Sequence, residues 1–335
     1  MKGKTEFIHG VATRLGIGVY DEGWFQHRLS LFEAITVPSL MAQTCQDFTW
    51  LLIIDEKMPP MARQRLDEII HKVPNAKIIA IEFKSKLRQA IATWAKEEAA
   101  RRGVDYVMTS RLDDDDAMVV GAYERLHREA EEFFQTSKAD KAVFSFNIGS
   151  MWDPQSRRGY TRYHDSHSLS LSLLEPAQTC RSVHFTQHKD IKCKTAPSGT
   201  YIRGIDGDEL WWLYAAHALA DSETGDATRL ERIRTHRYGY EVDDQMLARF
   251  GLDPVAVGRL TELPKPQLAK PVMRLAIRAL DIEKEIESLR RALPSASGWK
   301  ARKMRKQLEA LETSRVDAGS GIVASGVAQG SRNRS

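Results

Sequence analysis

The sequence has little of what marks a secreted or membrane-spanning protein. Its 335 residues include three cysteines, Cys45, Cys180 and Cys193, which form no CxxC pair and give no disulfide framework. A reducing compartment is the simpler expectation. The first residues are too polar for a signal peptide, and the apolar run at Trp50–Ile54 is far shorter than the roughly 18 residues that cross a bilayer. We therefore expect a cytoplasmic protein.

Strong charge bias and several catalytic motifs are also missing. The chain has 49 Lys and Arg against 45 Asp and Glu, a formal charge of +4. That excess is too small for the broad basic surface of a nucleic-acid-binding protein. The glycines do not form GxGxxG, and no P-loop, HExxH or GxSxG motif occurs. Nothing supports a nucleophilic serine or cysteine mechanism.

Alternating apolar and amphipathic segments fill the first half of the chain. We predict strands at residues 7–13, 49–55, 76–83 and 104–110. We predict helices at 26–43 with an interruption at Pro38, at 61–73, at 85–102 before Gly103, and at 117–135. Repeated strand–helix–strand units predict an α/β fold, with a Rossmann-like, mostly parallel sheet and helices on both faces. Ligands bind at the carboxyl ends of such strands.

The second half is more irregular. Shorter strands are predicted at 142–148, 181–188 and 200–205, which suggests a partly antiparallel half that completes a site. We assign residues 1–262 to one domain. Heptad-spaced apolar residues, interrupted at 294–298, predict an α-helical hairpin over 263–315, and the Gly- and Ser-rich residues 316–335 are expected to be disordered.

The segment "SRLDDDDAM" places Asp113–Asp116 directly after the fourth predicted strand. Neighbouring carboxylates disfavour one another's ionisation, so we expect a positive charge nearby to offset the repulsion between them. A divalent Mg²⁺ or Mn²⁺ ion would do so, and such ions usually add water and substrate phosphates to one or two protein carboxylates. The alternative is a solvated acidic turn in which Asp116 caps the following helix.

Other metal sites fit less well. An EF-hand loop starting at Asp113 would have Ala117 and Met118 where a ligand and a glycine are needed. A haloacid-dehalogenase-like phosphohydrolase would need Thr or Val at Ala117. Residues 180, 184, 188 and 193 are Cys, His, His and Cys, and they leave a zinc site open without the spacing that would favour it.

The amino-acid sequences of several segments resemble those of a known family. "YVMTSRLDDDDAM" is similar to the Asp-x-Asp segment of GT-A nucleotide-sugar glycosyltransferases, and "LFEAITVPSLMAQTCQDFTWLLIIDEKMP" is similar to the helix and second strand of their nucleotide-binding half. Together with "FSFNIGSMWDP" and "WWLYAAH", these segments most resemble the bacterial rhamnosyltransferase family. The similarity extends over about residues 5–250. It implies a GT-A-like fold.

The resemblance also implies roles for particular residues. Asp113 and Asp115 match the Asp-x-Asp pair, with Asp115 as the direct metal ligand and Asp113 nearer the ribose and metal-bound water. Asp55 matches the position that contacts the nucleotide base. Arg14 and Arg111 are candidates for binding phosphate oxygens, a role suited to a bidentate donor. Either arginine could instead pair with the aspartates.

Two further roles come from "GIDGDELWWLYAAH", residues 204–217. Inverting relatives often place the general base in an acidic pair that opens a helix, and Asp206, Asp208 and Glu209 offer this; we select Asp208. Asp208 and Glu209 could instead simply favour a helix N-terminus. His217 resembles the late histidine that completes the metal shell, although a buried structural histidine is an alternative.

The prediction is a metal-dependent glycosyltransferase that moves a sugar from a nucleoside diphosphate sugar to a bacterial glycan or lipid-linked acceptor, and the resemblance implies that the sugar is rhamnose. The alternatives are a metal-dependent phosphohydrolase and a non-catalytic nucleotide-sugar or glycan-binding protein. No nucleic-acid partner is expected. The basic segment "KARKMRKQ", residues 300–307, allows peripheral contact with the inner membrane, although a solvated helix face explains it as well.

Overall fold

The computed structural model describes residues 6–165, 169, 171–217, 226–263, 285–286 and 288–312. The strands are β1 (Phe7–Leu15), β2 (Thr49–Asp55), β3 (Ala76–Ile81), β4 (Tyr106–Arg111), β5 (Ala117–Met118), β6 (Ala142–Phe146), β7 (Ile148–Asp153), β8 (Arg158–Tyr163), β9 (Leu171–Pro176), β10 (Tyr201–Ile205), β11 (Trp212–Ala215) and β12 (Tyr240–Glu241). The α-helices are α1 (Glu22–Leu31), α2 (Val37–Met41), α3 (Pro60–Ile70), α4 (Leu87–Arg102), α5 (Ala122–Thr136), α6 (Ile191–Thr195), α7 (Asp226–Thr235), α8 (Asp244–Arg249) and α9 (Pro254–Arg259).

The larger sheet has the strand order β10-β6-β9-β4-β1-β2-β3. Within it β9 runs antiparallel to both of its neighbours, and the other six strands share one direction. Strand β2, with the sequence TWLLIID, is buried at every residue after Thr49, as expected for a parallel strand covered on both faces. The predicted mostly parallel sheet flanked by helices is therefore confirmed.

Two apolar layers cover the sheet. Helices α1, α3 and α5 contribute to the main core on one face, whereas Leu87, Ile91 and Trp94 of α4 pack on the other. Gly10 in β1 allows this close approach, because a Cβ atom there would lie 2.3 Å from Cζ3 of Trp94. Helix α4 ends at Gly103, whose φ of 67° suits a glycine cap.

The helical segment around Pro38 is continuous. Helix α1 passes through a π-helical turn at Phe32–Thr36 into α2, and Pro38 lies in the first turn of α2. The proline has no N–H for the regular i to i−4 hydrogen bond, and the predicted interruption is a π-helical turn just before it and not a break in the helical run.

A smaller sheet adjoins the carboxyl edge of the larger one. Its order is β12-β8-β7-β11-β5. A single residue separates β6 from β7, and Asp113–Asp116 lie between β4 and β5. Residues 117–118 pair with β11, and the helix predicted from residue 117 therefore starts at Ala122.

The strand predicted at residues 181–188 is wrong. The chain instead forms 3₁₀ turns at Val183–Phe185 and His188–Asp190. Side chains form hydrogen bonds with the backbone there. The Glu175 carboxylate accepts from the N–H groups of residues 181 and 182, and Arg111 donates to the carbonyl groups of residues 183 and 186. A β ladder would need those groups.

The chain is helical at residues 288–292 and 298–312. Ile286 packs against Leu308 and Leu311, and Arg291 pairs with Glu82 next to β3. Much of the predicted hairpin, and all of residues 316–335, lie outside the described residues, so these boundaries stay predictions. The basic side chains at 300, 302, 303, 305 and 306 are exposed. No helix in the described part of the chain has both the length and the apolarity to cross a membrane.

Candidate functional site

The four consecutive aspartates after β4 have different surroundings. Asp114 is paired with Arg28 of α1: Arg28 Nε donates to Asp114 Oδ2 at 2.8 Å, and Arg28 Nη2 donates to Asp114 Oδ1 at 2.6 Å. Arg28 is 3% exposed and Asp114 is 4% exposed. A buried charge requires such a bidentate partner, so this pair compensates one of the four carboxylates.

Asp115 and His217 converge at the same place. Asp115 Oδ2 lies 2.7 Å from His217 Nε2, and Arg28 Nη1 lies 3.0 Å from that oxygen and 2.8 Å from that nitrogen. Neutral His217 with a lone pair on Nε2 accepts from Arg28, whereas a proton on Nε2 would be donated to Asp115. The structure thus brings together two of the three predicted metal ligands, with a guanidinium between them.

Asp116 has a different partner. Its Oδ1 accepts from the backbone N–H of Ala215 in β11 at 2.8 Å. Burial, followed by the nearby Asp115 and Asp113 carboxylates, raises the pKa of Asp116 well above its ordinary value. Asp116 does not cap the following helix, since α5 starts only at Ala122; the solvated acidic turn is therefore wrong. We call Asp113–Asp116, Arg28 and His217 the acidic cluster.

A basic cluster of Arg14, Arg111, His184 and His188 lies at the adjoining ends of β1 and β4. Arg111 Nη2 donates to the carbonyl oxygens of Val183 at 2.9 Å and of Thr186 at 2.6 Å. The pKa of Arg111 is lowered to about 10, mainly by burial; the Asp113 carboxylate opposes this shift, and Arg14 adds to it.

His184 belongs to this cluster because the charges of Arg111 and Arg14 act on its imidazole ring. Burial, then Arg111 and Arg14, lower the pKa of His184 well below its ordinary value. Its Nε2 atom and the Nε atom of Arg111 are buried without a hydrogen-bond partner among the described residues. The described residues thus leave one polar atom of each side chain unsatisfied.

Asp113 connects the two clusters. Its carboxylate acts on the pKa of Arg111 and His188 on one side, and on the pKa of Asp116 and Tyr214 on the other. Asp113 is only partly buried, unlike the three aspartates that follow it. It therefore lies within electrostatic reach of both groups.

Asp55 ends β2 at the same edge, as expected. Its Oδ2 accepts from Gly18 N at 2.9 Å and Tyr20 Oη at 3.1 Å, and its Oδ1 accepts from Lys57 N at 2.9 Å. Burial raises the pKa of Asp55, which the hydrogen bonds from residues 57 and 18 oppose. Asp55 thus holds the loop that follows β1, and contact with a nucleotide base stays a prediction.

The helix expected after Asp208 and Glu209 is wrong. Residues 212–215 form β11, which pairs with both β5 and β7. Glu209 is paired with Arg249 at 3.1 Å, and Asp208 is exposed on the loop before the strand. His217 follows the other end of β11, so the structure does not bring Asp208 to the acidic cluster.

The sequence reasoning missed Arg28 and its neighbour His27. Both are buried on α1, and the ring centroids of His27 and His217 lie 5.7 Å apart. Neither ring nitrogen of His27 has a partner among the described residues. The pair His27–Arg28 among the apolar residues Trp24, Phe25, Leu29 and Leu31 was the available signal, because buried charges need partners.

Asp115 Oδ2 and His217 Nε2 are donor atoms that would hold a divalent cation only together with further ligands such as a substrate phosphate. In the part of the chain that the structure describes, no group of three or more His, Cys, Asp or Glu side chains forms a complete metal cage. Magnesium sites commonly use one or two carboxylates and complete the shell with water and phosphate, as the Asp115–His217 pair would allow. The zinc site has less support: Cys180 is buried with its thiol pKa raised to about 12, mainly by burial, and Cys193 is exposed.

Comparison with known proteins adds a family match. The family model described as "Putative rhamnosyl transferase" matches residues 7–208. None of the curated proteins matches the chain.

Several solved structures resemble the chain weakly. Residues 1–349 of TarS from S. aureus are 12% identical, with 93% of this chain and 88% of that chain covered and a TM-score of 0.36. A protein described as "putative nucleotide-diphospho-sugar transferase" from Desulfovibrio desulfuricans G20 is 10% identical, with 75% and 97% covered and a TM-score of 0.37. A cytidylyltransferase from Leptospira borgpetersenii is 10% identical, with 62% and 79% covered and a TM-score of 0.34. At these values the likeness carries no argument about activity.

Proposed function

The chain belongs to the family described as "Putative rhamnosyl transferase", a family of glycosyltransferases, and from that premise we propose that it transfers rhamnose from a nucleoside diphosphate donor to a glycan acceptor. Rhamnose rests on the family description alone. The acceptor is proposed to be a bacterial glycan, free or lipid-linked.

One observation carries the proposal. Asp113 lies within electrostatic reach of the basic cluster and of the acidic cluster, at the edge where β1, β2 and β4 end. A nucleoside diphosphate has the matching chemistry, because its phosphate oxygens suit arginine donors and its charge suits a cation held by carboxylates. Carboxyl edges of parallel sheets are also where nucleotides bind.

Each group then has a role. Arg14 and Arg111 bind the diphosphate oxygens and stabilise the negative charge that grows as the nucleotide leaves. Asp115 and His217, with Asp113 nearby, would hold Mn²⁺ or Mg²⁺, which supplies Lewis-acid stabilisation of the same charge when bound. Asp55 keeps the loop after β1 in place beside the nucleotide.

Transfer with inversion also needs a general base for the acceptor hydroxyl, and Asp206 suits this role better than Asp208. Asp206 follows β10, whose carboxyl end lies at the same sheet edge as that of β4. Its Oδ1 accepts from Asn147 Nδ2 at 2.8 Å, which orients the carboxylate while the residue stays exposed. Asp208 is instead on the loop between β10 and β11, where no hydrogen bond to its carboxylate orients it among the described residues.

Thermal unfolding tests the donor site. The protein is heated with Mn²⁺ alone and with Mn²⁺ plus UDP, dTDP or GDP. A ligand at 100 times its Kd stabilises by about 2.7 kcal/mol, and a protein of this size shifts by roughly 2 to 4 °C per kcal/mol. We expect a shift of several degrees for one nucleotide, dependent on the metal and lost in Asp115→Asn.

Two further assays separate the alternatives. Consumption of a nucleotide sugar that requires an added acceptor distinguishes a transferase from a protein that only binds nucleotide sugars or glycans. Phosphate release from a simple ester would instead identify a phosphohydrolase. A folded protein that shows no shift with any nucleotide would contradict the proposal.

A further inference from the structure

Arg28 contacts both protein groups proposed to hold the cation. It extends from α1 into the acidic cluster and is 3% exposed. Its Nε and Nη2 atoms are fixed by Asp114, and this leaves Nη1 directed at Asp115 Oδ2 and His217 Nε2. Those two atoms lie 2.7 Å apart, so one guanidinium nitrogen serves both.

The one lone pair on His217 Nε2 cannot serve an arginine donor and a metal together, although a carboxylate oxygen such as Asp115 Oδ2 can accept from more than one group. A cation binds the carboxylate oxygen and the unprotonated imidazole nitrogen, which are the atoms that Arg28 Nη1 contacts. Two positive charges in a buried site also repel strongly, since the interior screens them less than water does. Binding a cation there therefore requires Arg28 Nη1 to withdraw.

We propose that Arg28 competes with the divalent cation for Asp115 and His217, and so sets the cation affinity of the donor site. The inference rests on the proposed function, which assigns the cation to those residues. Arg28 is thus a positioning residue that acts through Asp115 and His217. Cation binding depends on the donor, because the diphosphate supplies further ligands and charge that offset the displacement of Arg28 Nη1.

Asp114 controls the strength of this competition. Its two hydrogen bonds keep most of the guanidinium directed away from Asp115. With Asp114→Asn, the full positive charge of Arg28 turns to Asp115 and the cation binds more weakly. With Arg28→Met and Asp114→Asn together, a neutral pair replaces an ion pair, the summed charge is unchanged, and the competitor is gone.

The test is a titration with Mn²⁺ followed by electron paramagnetic resonance, with and without a nucleoside diphosphate. We expect Arg28→Met/Asp114→Asn to bind Mn²⁺ alone at least tenfold more tightly than the wild type. We expect Asp114→Asn to bind it several-fold more weakly. Loss of a purely structural residue would disorder the ligands and weaken binding, so tightening separates competition from a structural role.

Arg28→Lys and Asp115→Asn complete the set. The lysine keeps the charge and should keep the Mn²⁺ affinity within about threefold of the wild type, whereas Asp115→Asn should abolish binding. If Asp115→Asn abolishes binding but the double variant binds no more tightly than the wild type, competition is wrong and the proposed function stands. If neither the wild type nor the double variant binds Mn²⁺ even with nucleotide, both the competition and the proposed function are wrong. Should the double variant not fold, unchanged or tighter binding by folded Asp114→Asn overturns the inference.

Discussion

The acidic and basic clusters share one sheet edge but compensate their charges differently. In the acidic cluster, Asp114 has a bidentate ion pair with Arg28, and Asp116 has a backbone donor. In the basic cluster, Arg111 is held by two backbone carbonyl groups, which carry no formal charge. Burial and a second arginine lower the pKa of Arg111, with one partly buried carboxylate opposing them.

The difference indicates which cluster is completed by the substrate. Charges paired within the protein contribute to the fold, whereas the neighbouring like charges of Arg14 and Arg111 favour an added anion. A diphosphate would relieve the repulsion between Arg14 and Arg111. The acidic cluster needs less from a ligand, because its own arginine already balances part of its charge.

The largest effect is expected for Asp115→Asn in the acidic cluster. The amide keeps the shape but loses the charge that faces Arg28 and His217. We expect kcat for sugar transfer to fall at least 100-fold without loss of the folded state, since electrostatic groups of this type contribute about that much.

The matched control is Asp105→Asn. Asp105 is an exposed aspartate directly before the start of β4, whereas Asp115 follows the end of that strand. The control variant should leave both kcat and the melting temperature within error of the wild type. If Asp115→Asn retains more than a tenth of the wild-type activity, the assignment of Asp115 is wrong.

Asp206 lies on the same sheet edge but outside both clusters. Its substitution should slow the transfer step without weakening donor binding. Asp206→Asn is expected to lower kcat by about 100-fold, the usual contribution of a positioned base, and to leave the donor KM nearly unchanged. Asp208→Asn, two residues away, is the matched variant and should stay within twofold of wild type. A larger loss with Asp208→Asn would reverse the choice.

Sequence patterns located the elements whose causes are local. The apolar run in β2 predicted its bounds at Thr49 and Asp55, and Gly103 marked the end of α4. Contacts made across long separations could not be read in this way. Arg28 and Asp114 are 86 residues apart, and β11 forms a strand because it pairs with β5 and β7. The acidic stretch before it would by itself favour a helix.

In the basic cluster, Arg14 and Arg111 should differ in what they support. Arg14→Gln removes a like charge near Arg111, so we expect the donor KM to rise about tenfold and the unfolding free energy without donor to fall less than in Arg111→Gln. Arg111→Gln loses two hydrogen bonds from a charged donor, so it should raise KM and also destabilise by about 2 kcal/mol. Donor titration and urea unfolding of both variants measure this split. Equal destabilisation by the two would show that both arginines serve the fold.

The smallest effect concerns His27, beside His217 and Arg28. Burial, then His217 and Arg28, lower the pKa of His27 from 6.5 to about 4. Between these values the unfolded chain binds a proton that the folded protein does not, so stability is fully present above pH 6.5 and falls as the pH approaches 4. We expect this histidine to account for about 1 to 2 kcal/mol of that loss.

Urea unfolding of the wild type and His27→Gln at pH 7 and pH 5 measures this contribution. The variant should lose less stability between the two values, because its side chain does not titrate. His71→Gln, at an exposed histidine, provides the control and should follow the wild type. If His27→Gln loses as much stability as the wild type, then folding does not lower the pKa of His27, and at pH 5 this side chain contributes positive charge beside Arg28. The acidic cluster would then hold two positive groups from α1, and the contrast with the basic cluster would be larger than the Arg28 contacts alone indicate.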